Sequence, residues 1–143
     1  MLVVEDSLPN LKLLMMMVRS LGYTVSGAEH GGLCVDQFEA AKRAREEAGL
    51  PAPGPDDPPG QGWPADCVLL DGSMPVLNGP QTATHLRGMG VRIPIIAVTG
   101  NALADDMQSF LDAGADMVLT KPIRIDAIKA ILAKVARPTD GTQ

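Results

Sequence analysis

The chain has 143 residues, 45% of them apolar and 20% charged, which suits one domain large enough to bury a real core and leaves little room for two. Aromatic residues make up only 3%, so the core must be aliphatic and Met-rich, and stacking on nucleobases is a poor use of this surface. A net charge of −5 with no segregated basic face argues against a nucleic-acid partner, and no apolar run approaches the roughly 20 residues of a membrane helix, which argues against direct membrane contact.

Leu2, Val3 and Val4 form a short apolar run that halts at Glu5 and Asp6, as a buried parallel strand does at the rim of its sheet. A strand that starts directly from Met1 leads us to expect a piece of a longer polypeptide. Ser7 is placed to cap the next helix and Pro9 fits its first turn. Leu11, Leu14, Met15 and Val18 share one face of that helix, which ends by Gly22. Thr24 to Ala28 reads as a second strand. A helix follows from about Gly32 to Ala48, with Val35, Phe38 and Ala41 inward.

Residues 49–64 change character, with six prolines and with Gly54, Gly60 and Gly62 around Asp56 and Asp57, and read as a surface loop inserted in the domain. Trp63 in this loop is expected to pin it to the body. Cys67 to Leu70 is the third strand, ending at Asp71. Gly72, Pro75, Asn78 and Gly79 then lead to a helix from about Pro80 to Met89. Ile95 to Val98 is the fourth strand, ending at Thr99, and a helix over 102–113 stops at Gly114. Met117 to Leu119 is the fifth strand, and Ile125, Ile128, Ile131, Leu132 and Val135 mark a last amphipathic helix. The domain is expected over residues 1–138, with a disordered polar tail at 139–143. Cys34 and Cys67 form no close motif, which suits a reducing, cytoplasmic setting.

Strands that alternate with helices five times predict an α/β fold: a parallel sheet with right-handed crossovers, helices on both faces, and ligands at the carboxyl ends of the strands. Polar residues follow four of the five strands there: Glu5 and Asp6, Asp71, Thr99, and Lys121. Three carboxylates in one crevice repel one another unless a cation sits among them, and an all-oxygen site suits a hard divalent ion such as Mg2+. Lys121 adds a compact positive charge and Thr99 a hydroxyl donor, the equipment for holding a phosphoryl group beside the metal. Any one of these residues alone would be an ordinary solvated loop residue. Their coincidence at one edge is the signal.

The segments LVVEDS at 2–7, LLDGSMPVLNG at 69–79, IIAVTGNA at 95–102 and GADMVLTKP at 114–122 together resemble a receiver domain of two-component phosphorelays, over nearly the whole chain. The resemblance implies a flavodoxin-like, doubly wound five-stranded sheet in the order 2-1-3-4-5. It also implies that Asp71 is the phosphoacceptor, that Glu5, Asp6, Asp71 and the Ser73 backbone carbonyl hold Mg2+, and that Thr99 and Lys121 bind phosphoryl oxygens. The partner implied is a histidine kinase or a histidine-containing phosphotransfer domain docked over the strand ends against the first helix, and the Lys121–Pro122 bond is expected to be cis. Asn10, the MPVLNG loop and the TGNAL segment look more like receivers of hybrid histidine kinases than those fused to DNA-binding domains. On this reading the chain is a signalling receiver domain, not an enzyme on substrates of its own, and it is cytoplasmic either alone or as part of a larger receptor kinase.

Two departures from the family pattern stand out. Val118 occupies a position where most receivers carry an aromatic ring, and Gly72 replaces a larger apolar residue, a change expected to loosen its loop. Two alternatives share the nucleophilic aspartate. One is a stand-alone single-domain regulator. The other is a hydrolase that forms an aspartyl-phosphate, against which stands Ser73, where such an enzyme usually needs a second carboxylate two residues past its nucleophile.

Overall fold

A computed structural model describes residues 1–53, 62–72, 74, 77–100 and 103–135. In chain order its elements are β1 (Leu2–Val4), α1 (Leu8–Ser20), β2 (Ser26–Ala28), α2 (Gly31–Glu47), β3 (Val68–Asp71), α3 (Gly79–Gly88), β4 (Ile95–Thr99), α4 (Ala104–Ala113), β5 (Met117–Thr120) and α5 (Ile125–Val135). The strands form one parallel sheet in the order β2-β1-β3-β4-β5. The expected disordered tail and residues 54–61 of the Pro/Gly insertion lie outside the described residues.

Alternation along the strands divides the core into two layers. Leu2, Val4, Val68, Leu70, Ile95 and Ala97 face Phe38 of α2, Leu86 of α3 and Phe110 of α4. Val3, Leu69, Ile96 and Val98 face Leu11, Leu14 and Val18 of α1 and Ile128 and Leu132 of α5. Because both faces of the sheet are covered, its central strands read as unbroken apolar runs. Each fully buried Leu or Ile in these layers contributes about 1.5–3 kcal/mol.

Helix ends follow local chemistry. Gly114 closes α4 at φ 115°, a left-handed conformation that costs other residues a steric penalty. Asn78 and Gln81 form a reciprocal capping box on α3, with Gln81 N donating to Asn78 Oδ1 at 2.8 Å and Asn78 N donating to Gln81 Oε1 at 3.0 Å. His30 caps α2, its Nδ1 accepting from Leu33 N at 3.2 Å.

Two local expectations change. Thr24 and Val25 lie outside β2, whose residues pair with β1 only from Ser26, in register with Leu2. Ser7 stands at the N-cap position of α1 but makes no side-chain cap; its N–H instead donates to Glu5 Oε1 at 3.1 Å. The expectation for Trp63 holds: it is buried and packs at 5.6 Å, centroid to centroid, against Phe38, so it pins the C-terminal end of the insertion to the core.

Candidate functional site

Register determines which side chains meet at the carboxyl edge. Val4 lies opposite Leu70, Asp71 opposite Val98, and Thr99 opposite Thr120. The residues just beyond β1 and at the end of β3 therefore stand side by side, with the ends of β4 and β5 next along the edge. Glu5 N donates to Ala28 O at 3.1 Å and Lys121 N to Thr99 O at 2.7 Å, so the sheet's hydrogen bonding extends into both flanking loops. The Lys121–Pro122 peptide is cis.

Glu5, Asp71 and Thr99 are buried at 1%, 3% and 8% exposure, and Asp6 is exposed. Lys121 Nζ lies 3.0 Å from Asp71 Oδ1 and 3.4 Å from Glu5 Oε2. Burial pushes the Glu5 carboxyl above its ordinary range. The Ser7 N–H opposes that rise, the Asp71 charge adds to it, Lys121 opposes it again and Asp6 adds a little more. For Lys121, burial lowers the ammonium pKa, but the hydrogen bond and charge of Asp71, followed by those of Glu5, outweigh it and leave the value raised. The lysine stays charged at neutral pH.

Glu5, Asp6 and Asp71 each offer one carboxylate oxygen, all within 4.8 Å of one another. A single lysine balances only part of this charge, and the all-oxygen donor set, with one exposed member facing solvent, fits a hard divalent cation. Glu5, Asp6, Asp71 and Lys121 thus come together at the edge where the sequence places them, with Thr99 at the end of the adjoining strand. Ser73, whose carbonyl completes the expected metal set, lies outside the described residues.

Two features escape a reading of the sequence. Arg87 donates to the carbonyls of Gly114, Val91 and Ile93 and to Asp116 Oδ2, all at 2.9–3.0 Å, and Asp116 Oδ2 also accepts from Ile95 N. An arginine late in an amphipathic helix looks like a solvated residue; only the fold shows that it ties α3 to the starts of β4 and β5. The second is Gly72. Its N–H donates to Val98 O at 2.9 Å and its carbonyl accepts from Gly79 N at 3.1 Å, so Gly72 itself is tied to the end of β4 and to the start of α3. The buried cysteines are free, and burial pushes both thiols up to about 12, which makes them poor nucleophiles.

A parallel sheet in this order with an acidic, lysine-braced pocket at its carboxyl edge defines a class, and comparison with known proteins gives the family. The response regulator receiver domain family matches residues 60–133, and the chain belongs to it. It is 37% identical over 111 residues to the two-component response regulator ORR41 of Oryza sativa subsp. japonica, covering 75% of this chain and 76% of that protein. It is 32% identical over 142 residues to the sensor histidine kinase RcsC of Salmonella typhi, covering 99% of this chain and only 13% of that kinase. Among solved structures, the receiver domain of a sensor histidine kinase from Pseudomonas aeruginosa PAO1 is 32% identical, with a TM-score of 0.68 over 94% of this chain and 93% of that one. That receiver carries a magnesium ion coordinated in its active-site cleft. The chain is therefore a receiver domain homologous to those of hybrid histidine kinases and of response regulators. Among the described residues, no helix is long and apolar enough to cross a membrane.

Proposed function

We propose that this receiver takes a phosphoryl group from phosphohistidine onto Asp71 in a Mg2+-dependent reaction and passes the resulting signal or phosphoryl group to a partner protein. The observation that carries this reading is the contact of Lys121 Nζ with the buried Asp71 carboxylate, 3.0 Å away, inside the three-carboxylate cluster. An Asp71 oxygen forms the new P–O bond as the P–N bond to the donor imidazole breaks, and the electron pair leaves on that nitrogen. Lys121 shifts from Asp71 to a phosphoryl oxygen, and the Thr99 hydroxyl donates to another. Asp6, Glu5 and Asp71, with the Ser73 carbonyl, would hold Mg2+, which supplies neutralisation of phosphoryl charge when bound. Positioning and electrostatics account for most of the catalysis.

The donor is a histidine kinase or a histidine-containing phosphotransfer domain, and α1 offers it a surface. Leu8, Leu13 and Met16 are exposed at 47%, 53% and 61% on the helix that starts beside Glu5 and Asp6. The relation to a sensor kinase over nearly the whole chain supports an origin in a hybrid histidine kinase; the cytoplasm is the setting this reading implies. We read residues 1–138 as the receiver and 49–64 as its insertion. Among the described residues of that insertion, Trp63 packs into the core.

The metal part of the reading is tested by titration. Asp6→Ala should fold normally, since Asp6 is exposed, and should bind Mg2+ about tenfold or more weakly by calorimetry. Equal affinity in the variant and the wild type would place the metal elsewhere.

A further inference from the structure

Phe110 is 3% exposed, and its ring enters from α4 to lie against the backbone at both ends of the segment that joins β3 to α3. A Cβ on Gly72 would stand 2.8 Å from Phe110 Cζ and 2.9 Å from Cε2. One on Gly79 would stand 2.6 Å from both Cε1 and Cζ. Neither glycine has a left-handed φ, so each lacks a side chain for space and not for backbone conformation. The two glycines are also bonded to each other, Gly79 N to Gly72 O at 3.1 Å, and Gly72 N is bonded to Val98 O at 2.9 Å. One ring therefore fills the notch beside a hydrogen-bonded neck that begins at the residue after Asp71. It is carried by the helix that follows Thr99.

We propose that Phe110 is a positioning residue for phosphoryl transfer: its ring sets the height of the Gly72–Gly79 neck, and with it the placement of Asp71, and couples that neck to α4. The ring touches no reacting group and acts through Gly72. Close-packed interiors shift between discrete arrangements and do not stretch, so a change at the neck must move the ring, and a change at the ring must move the neck. This proposal rests on the phosphoacceptor reading of Asp71.

Size exchange between the two positions tests it. Gly72→Ala is the sharper probe, because its methyl meets the ring at 2.8 Å while its next neighbour, Val98 O, is a tolerable 3.4 Å away. Gly72→Ala and Phe110→Leu alone should each slow Asp71 labelling by a small-molecule phosphodonor about tenfold at saturating Mg2+, and each should raise amide exchange at Gly72, Gly79 and in α4. The double variant Gly72→Ala/Phe110→Leu, in which the shorter side chain makes room for the methyl, should recover most of both. Should Gly72→Ala fail to fold while the double variant folds, that rescue is the same result. Losses that add in the double variant, or single variants that lose stability with unchanged labelling and unchanged exchange at the neck, would reduce Phe110 to core filling. If wild type accepts no phosphoryl group, the phosphoacceptor reading fails, and this proposal falls with it; the exchange data would then show only whether ring and neck are sterically coupled.

Discussion

Lys121→Met should leave the chain folded and slow the labelling of Asp71 by about 10²–10³-fold, the usual cost of removing one preorganised electrostatic group from a phosphoryl or acyl transfer site. Lys121 Nζ sits 3.0 Å from Asp71 Oδ1 and 3.4 Å from Glu5 Oε2, so it is already placed where charge on an incoming phosphoryl group must be met. The methionine keeps most of the stem's packing and removes only the ammonium. Mg2+ affinity should not fall, because the lysine and the metal compete for the same carboxylates. Labelling kinetics and a metal titration on the same variant check both statements. Wild-type labelling would remove Lys121 from the reaction, and a lost metal site would show that the lysine organises the carboxylates.

Arg87→Ala should cost about 2–4 kcal/mol of unfolding free energy. The guanidinium serves three backbone carbonyls and Asp116, and its side chain is only 19% exposed, so truncation strands acceptors at the junction of α3, β4 and β5. Asp116 is 49% exposed and rehydrates readily, which keeps the ion pair itself a minor part of the loss. Arg87→Lys should recover little, since one ammonium cannot reproduce a planar fork with several fixed donors. Urea denaturation of the three proteins measures this. A shift within about 0.5 kcal/mol would mean that water replaces the arginine without penalty. The labelling rate of folded Arg87→Ala should be unchanged, because these bonds lie at the amino ends of β4 and β5, away from Asp71.

The sheet was legible because its central strands are buried on both faces and appear as uninterrupted apolar runs, each stopped by a polar residue. The site was legible for the same reason: Glu5, Asp6, Asp71, Thr99 and Lys121 are the stops, and a parallel sheet brings such stops to one edge. What escaped depends on contacts between elements distant in sequence. Ser7 has the composition of a cap, but its backbone N–H serves Glu5, a partner defined by the buried pocket and not by helix chemistry. Gly72 suggests looseness to a reader who cannot see the ring 38 positions later that occupies its missing side chain's place. Trp63 was legible as the residue that pins its Pro/Gly-rich loop, but its partner, Phe38 of α2, comes from a distant element that only the fold brings beside it.

Site-resolved mass spectrometry decides whether Asp71 accepts the phosphoryl group. Wild type and Asp71→Asn are incubated with a small-molecule phosphodonor and Mg2+, then analysed as intact proteins and as fragments. Wild type should carry one labile phosphoryl adduct, on the fragment that contains Asp71; the adduct should not form when Mg2+ is chelated before the phosphodonor is added, and should be absent from Asp71→Asn. An adduct of wild-type yield on Asp71→Asn, or one carried by a fragment without residue 71, would contradict it.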